Sequence, residues 1–81
     1  MKIRIHIVLK NNVLDPQGKA IADALHSLGY TSLNDVRQGK YLELDLAESN
    51  TVKARRIAEQ MCRDFLANAV IEDFAIDVVH A

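Results

Sequence analysis

The sequence predicts an α+β chain in the order β-α-β-β-α-β, and three observations carry that expectation. Apolar and polar residues alternate around residues 3–9, 42–46 and 74–78, the period of a half-buried strand. Two other stretches repeat their apolar residues at three- and four-residue spacing, the period of a helix with one apolar face. Residues with start-and-stop chemistry fall at the borders between these stretches. The chain has 81 residues, no linker and no low-complexity segment, so a single domain over 1–81 is expected.

The first strand is carried by Ile3, Ile5, Ile7 and Leu9, which alternate with Lys2, Arg4, His6 and Val8. Asn11-Asn12 breaks the pattern. Asp15 then precedes Pro16: Asp is a favoured N-cap, and Pro suits the first helical position because its missing N–H has no helical partner there. Ala20, Ile21, Ala24, Leu25 and Leu28 form the apolar stripe of this first helix, and Gly29 stands where a left-handed C-terminal residue is common. Two short β-prone runs follow, LNDVRQ and KYLELDL. They are expected as the second and third strands, joined by a tight hairpin at Gln38-Gly39-Lys40. In the third strand Leu42, Leu44 and Leu46 face one way, and Tyr41, Glu43 and Asp45 the other. Ser49 and Asn50 are candidate caps for a second helix. Its stripe is Ala54, Ile57, Ala58, Met61, Cys62, Phe65 and Leu66, and Asn68 is placed at its end. VIEDFAIDVV supplies the fourth strand.

Two helices on one face of a four-stranded antiparallel sheet are the simplest way to bury these stripes, a ferredoxin-like two-layer sandwich. In that topology the first strand lies between the third and fourth. Lys2, Arg4 and His6 on its open face are then flanked by Glu43 and Asp45 on one side and Asp73 and Asp77 on the other. Each opposed pair is worth about 0.2–1 kcal/mol.

Composition narrows the function. Ten Lys and Arg stand against eleven Asp and Glu, and this near balance lacks the basic face of a nucleic-acid binder. Tyr41 is the one aromatic residue expected on the open sheet face, which also argues against a stacking platform. The lone Cys62 has no disulfide partner within the chain and fits a reducing cytosol. No apolar run resembles a signal peptide or spans a bilayer, so a cytoplasmic protein with no membrane role is expected. A core this small is marginal alone, which makes self-association a reasonable expectation.

No constellation of residues reads as an active site or a metal centre. Glu43 and Asp45 share a strand face, as do Asp73 and Asp77, but both pairs read as solvated carboxylates beside basic neighbours. His6, His26 and His80 are scattered, without a second ligand at metal-site spacing. Cys62 sits on an apolar stripe with no His one turn away, the setting of a structural cysteine. Lys53, Arg55, Arg56 and Arg63 read as the solvated face of the second helix. Gln17-Gly18-Lys19 after Asp15-Pro16 is the least ordinary stretch. Glycine in a first helical turn costs helix propensity. It also permits close approach of another surface, or of a phosphate, to free N–H groups. A tolerated surface glycine is the alternative.

VLDPQGKAIADALHSLGY followed by VRQGKYLELDL closely resembles the PurS family, the small subunit of bacterial and archaeal phosphoribosylformylglycinamidine synthase. The similarity runs from the opening KIRIHIVLK to the closing VIEDFAIDVV. The DPQG block and the VRxGKYxEL block are fairly specific as a pair, while Asn11-Asn12 departs from the Pro-Gly-like turn expected there. The resemblance implies a role in purine biosynthesis. The complex converts formylglycinamide ribonucleotide, glutamine and ATP into formylglycinamidine ribonucleotide, glutamate, ADP and phosphate. A glutaminase subunit, PurQ, releases ammonia, and an ATP- and Mg-dependent synthetase subunit, PurL, activates the substrate amide. The small subunit joins the two and self-associates as a homodimer or homotetramer. It binds no cofactor alone, while the complex uses ATP, Mg and glutamine.

On this resemblance, Asp15, Pro16, Gln17, Gly18, Lys19, Arg37, Gly39 and Lys40 are the candidate interface or channel-proximal residues, because they carry the similarity and are poor core residues. The rival expectation is a free-standing ACT-like regulatory domain, which shares the β-α-β-β-α-β order and binds a small ligand between subunits.

Overall fold

The computed structural model describes residues 1–79, so His80 lies outside the described residues. The class is α+β: strand β1 (Lys2–Leu9), helix α1 (Pro16–Ser27), strand β2 (Gly39–Asp45), helix α2 (Thr51–Met61), a π-helical turn (Cys62–Leu66) and strand β3 (Glu72–Val79). Among the described residues the sheet has three antiparallel strands in the order β2-β1-β3, not the expected four.

β1 is the central strand because its inward residues have the right period. Ile3, Ile5 and Ile7 are completely buried, while Lys2, Arg4 and His6 point to solvent. α2 lies over this face. Its small residues Ala54 and Ala58, and Cys62 at the start of the π-helical turn, recur at every fourth position, all completely buried, and let the helix approach the isoleucines and Val78 closely. Asn50 caps α2 by accepting the Lys53 N–H at 3.0 Å, and Arg55 ties the helix to β3 through the Ile76 carbonyl at 3.0 Å. The π turn closes with the Ala67 N–H on the Cys62 carbonyl at 2.9 Å. This wider turn rotates Phe65 off the apolar stripe, and its side chain stands in solvent although the spacing had placed it in the core.

The open face of the sheet has the expected charge order. Arg4 lies opposite Glu43 on β2 and Asp77 on β3, and Lys2 lies opposite Asp45. Lys2 also reaches Glu43 at 3.7 Å, and the His6 ring stacks at a tilt on Tyr41, 4.8 Å between centroids.

The second expected strand does not form. Residues 33–38 make no ladder. A tight hairpin at Gln38-Gly39-Lys40 needs a left-handed residue, and Gly29 is the one glycine with positive φ. Gly39 is instead already part of β2, opposite Val8 of β1. LNDVRQ offers just two apolar side chains, and its polar groups are engaged elsewhere: the Gln38 N–H goes to Asp15 and the Arg37 guanidinium to the β1–α1 loop. The chain thus runs from this segment straight into β2 and cannot fold back along its edge.

The second correction follows from the first. The two helices do not share one face of the sheet. The elements that pack together are β1 with β2 and β3, and α2 with β1 and β3; α1 is absent from these pairs. Within α1 the buried residues are Gly18 and Ala22 alone, while Ile21 and Leu28 are exposed. α1 and the return segment 28–38 form an arm. The tip turns at Gly29, φ 101°, with the Tyr30 N–H on the Leu25 carbonyl at 3.1 Å. The arm stretches the molecule to 48 × 29 × 14 Å and its radius of gyration to 16.0 Å, against about 12 Å for a compact chain of this length.

Candidate functional site

All eight residues singled out in the sequence come together at one end of the sheet, where the arm joins it. Asp15 through Lys19 form the entry to α1, and Arg37, Gly39 and Lys40 the entry to β2. The centre of the group is the Asp15 carboxylate, 6% exposed. Its Oδ1 accepts the Gly18 N–H at 3.0 Å, the N-cap that the sequence foretold. Its Oδ2 accepts the Gln38 N–H at 2.8 Å, from the far side of the arm's base. The Gly18 N–H, then the Gln38 N–H, hold its carboxyl below the usual aspartate range. Burial opposes this and the positive charge of Arg37 assists.

Around this carboxylate the remaining residues make ties within the chain. One Arg37 nitrogen, Nη2, donates to the carbonyls of Leu9, Lys10 and Val13 at 3.3, 2.9 and 3.1 Å. The Gln38 amide donates to Gln17 Oε1 at 2.6 Å. Lys40 reaches Glu72 of β3 at 3.9 Å, and Lys19 pairs with Asp23 one turn along α1. Pro16 occupies the first helical position and is exposed. Gly18 owes its identity to a close approach inside the chain. A Cβ there would collide with the Val36 carbonyl oxygen and with Asp15 Oδ2 at 2.7 Å. The open question of the sequence, surface glycine or approach site, thus resolves into contact with the chain's own return segment.

Gln38, Val36 and Glu72 complete the group and were not among the candidates. Gln38 stands inside the VRQGKY block, but expected as strand or turn it gave no sign that its N–H meets a carboxylate. A shallow cleft of about 200 Å³ opens between Asp15, Gln17, Gln38, Lys40 and Glu72, and a second, of about 290 Å³, runs along α1 beside Lys19 and Arg37. Both are grooves of mixed polar and apolar lining, open to solvent. Among the described residues no three His, Cys, Asp or Glu side chains gather as metal ligands, and no helix is long and apolar enough to cross a membrane. Burial pushes the Cys62 thiol up, away from the reactive thiolate.

Fold and site define a small α+β protein whose distinguishing feature is an arm locked to its sheet by a polar knot. Residues 2–80 match the family described as PurS, phosphoribosylformylglycinamidine (FGAM) synthase, and the chain belongs to that family. It is similar to the phosphoribosylformylglycinamidine synthase subunit PurS of Bacillus subtilis, with 44% identity over 77 residues, 95% of this chain and 90% of that one. Among solved structures it is similar to PurS of Methanocaldococcus jannaschii, described as one of the subunits of formylglycinamide ribonucleotide amidotransferase in the purine biosynthetic pathway. The TM-score there is 0.90 at 36% identity, covering 99% of this chain and 96% of that one. It is similar also to a chain in the PurLQS structure of Thermotoga maritima, with TM-score 0.87 at 28% identity, covering 96% and 95%.

Two outcomes follow from the knot. Gly18→Ala destabilises the folded chain by about 1–3 kcal/mol, the cost of an overpacked contact, measured as a lower urea midpoint at unchanged slope. Because the folded carboxyl of Asp15 lies below its ordinary value of 3.8, its contribution is complete above that pH and is lost as pH falls through the lowered folded value. The stability gap between the parent and Asp15→Asn is therefore widest near neutrality and narrows in acid, read from denaturation curves at a series of pH values.

Proposed function

We propose that this chain is the small bridging subunit of phosphoribosylformylglycinamidine synthase in de novo purine biosynthesis, and that it couples a PurQ glutaminase to a PurL synthetase. The observation that carries the reading is the match along nearly the whole chain to the PurS family, together with the likeness to the chain in the PurLQS structure. The ligase chemistry belongs to the complex. On this reading ATP, Mg and glutamine are handled by the larger subunits in the cytoplasm, and this chain contributes surfaces and not reacting groups.

The physical task suits a part of this kind. Ammonia attacks only when unprotonated, and in neutral water most of it is ammonium. A subunit that fixes two active sites in register, and closes the joint between them, keeps the ammonia out of bulk solvent.

Self-association belongs to the same reading, and the uncovered apolar surface supports it. Ile21 and Leu28 stand exposed, and Leu25 half-buried, on one stripe of α1 that has no substantial packing against the sheet. At the body, Leu42 and Leu44 of β2 and Leu46 just after it are half-buried beside an apolar groove of about 300 Å³ lined by Leu44, Met61, Phe65 and Leu66. α1 of a second copy is the matching occupant: it has the complementary stripe, and the ferredoxin-like arrangement calls for a helix at that position.

With the two enzymes reconstituted, adding this chain raises glutamine-dependent turnover at least about tenfold, on the scale of lost proximity, while turnover fed by excess ammonium salt changes little. Equal glutamine-dependent rates with and without the chain would refute the bridging role. Replacing Ile21 and Leu25 by Asp converts the oligomer to a monomer in sedimentation velocity; an unchanged mass would rule out α1 as the interface.

A further inference from the structure

We infer that Asp15 and Arg37 act together as a clasp that sets the direction of the α1 arm before any partner is bound. The arm is a unit in itself. Its two sides are tied at the tip by the Tyr30 N–H on Leu25, along its length by the His26 ring nitrogen against the Leu33 carbonyl at 2.8 Å, and at the base by Gln17 and Gln38. It leans little on the sheet: the strands pack on one another and on α2, and α1 makes no comparable contact with any of them. Its direction therefore depends on the base alone, where two single strands of chain, residues 10–15 and 38–39, connect it to the body.

Two such connections form a hinge. The clasp closes it from both sides. Asp15 on the incoming connection holds the Gln38 N–H on the outgoing one, and Arg37 on the outgoing side holds the carbonyls of Leu9, Lys10 and Val13 on the incoming side. All these bonds have their donors on the outgoing side and their acceptors on the incoming side, and they involve a carboxylate and a guanidinium, the stronger class of hydrogen bond. Leu9 is the last residue of β1 and Lys10 donates its N–H to the Ile71 carbonyl just before β3 at 2.8 Å, so the clasp reaches into the sheet itself. Both residues are positioning residues. They hold a docking element in one orientation, which removes the ordering cost from the moment of binding.

The test is made on the free 81-residue chain, so it stands or falls independently of the bridging role. Spin labels are placed at Ser32→Cys on the arm tip and Ala75→Cys on the sheet; Cys62 is buried and stays unlabelled. Labelled chains are diluted with unlabelled ones so that distances within one chain are read. Asp15→Asn keeps Oδ1 for the Gly18 cap but sets an amide N–H₂ against the Gln38 N–H. Arg37→Met keeps the stem and removes the donors. Both should broaden the tip-to-sheet distance distribution by about twofold or more, as an element on a released hinge does, with helix content by circular dichroism unchanged. Arg37→Lys should narrow it part of the way back. A distribution in both variants as narrow and as centred as the parent's would overturn the clasp. So would loss of helix in Asp15→Asn, which would make the carboxylate a cap and nothing more. If Arg37→Met does not fold, Asp15→Asn alone decides between these outcomes.

Discussion

One carboxylate holds the two halves of this molecule in relation to each other. Asp15 takes an N–H from Gly18 inside the helix and an N–H from Gln38 at the start of the outgoing chain, and it is nearly buried between them. The cap decides where α1 begins. The second bond decides where the chain that follows α1 must return. With Arg37 answering across the same gap, the chain emerges at Gly39 in line with β2, and the helix that precedes it is carried away from the sheet. The missing fourth strand, the uncovered stripe of α1 and the elongated shape are consequences of this local arrangement.

The body follows a more ordinary logic. Three isoleucines and a helix of small residues make a dense but thin core, and one sheet face is left to charges that pair in register. Such a body buries little surface for its length. The apolar groove by Leu44 and Phe65 and the stripe of Ile21 and Leu28 are the parts of a normal two-layer fold that a single copy leaves unmatched. A chain built in this way has reason to associate.

Sequence periodicity told which residues face apolar surroundings. It did not tell whose. The alternation of Ile3, Ile5 and Ile7, the Asp15-Pro16 start, the Gly29 stop, the Asn50 cap and the acidic neighbours of Arg4 are local or nearest-strand features, and all were legible. The stripe of α1 was legible too, but periodicity names no covering surface, and the sheet to which the stripe points by default does not cover it. LNDVRQ reads as a strand because it is a short β-prone run set across a glycine from another, whereas its hydrogen-bonding groups are taken by residues far off in sequence. Gly18 shows the same limit: its constraint is the Val36 carbonyl, which no spacing rule reveals. The eight candidate residues were found as a group through the family resemblance, and their common task within the chain became visible only when they stood together.

The proposed role asks the knot to make no bond in a substrate. It asks that nitrogen released at one enzyme reach another without mixing with the solvent. The most direct measurement supplies the reconstituted complex with glutamine labelled at its amide with ¹⁵N, in the presence of excess unlabelled ammonium. With this chain present, the amidine product should carry the glutamine label almost exclusively, and without it the label should fall towards the bulk mixture. A product that carries the bulk isotope ratio whether or not the chain is there would contradict the account.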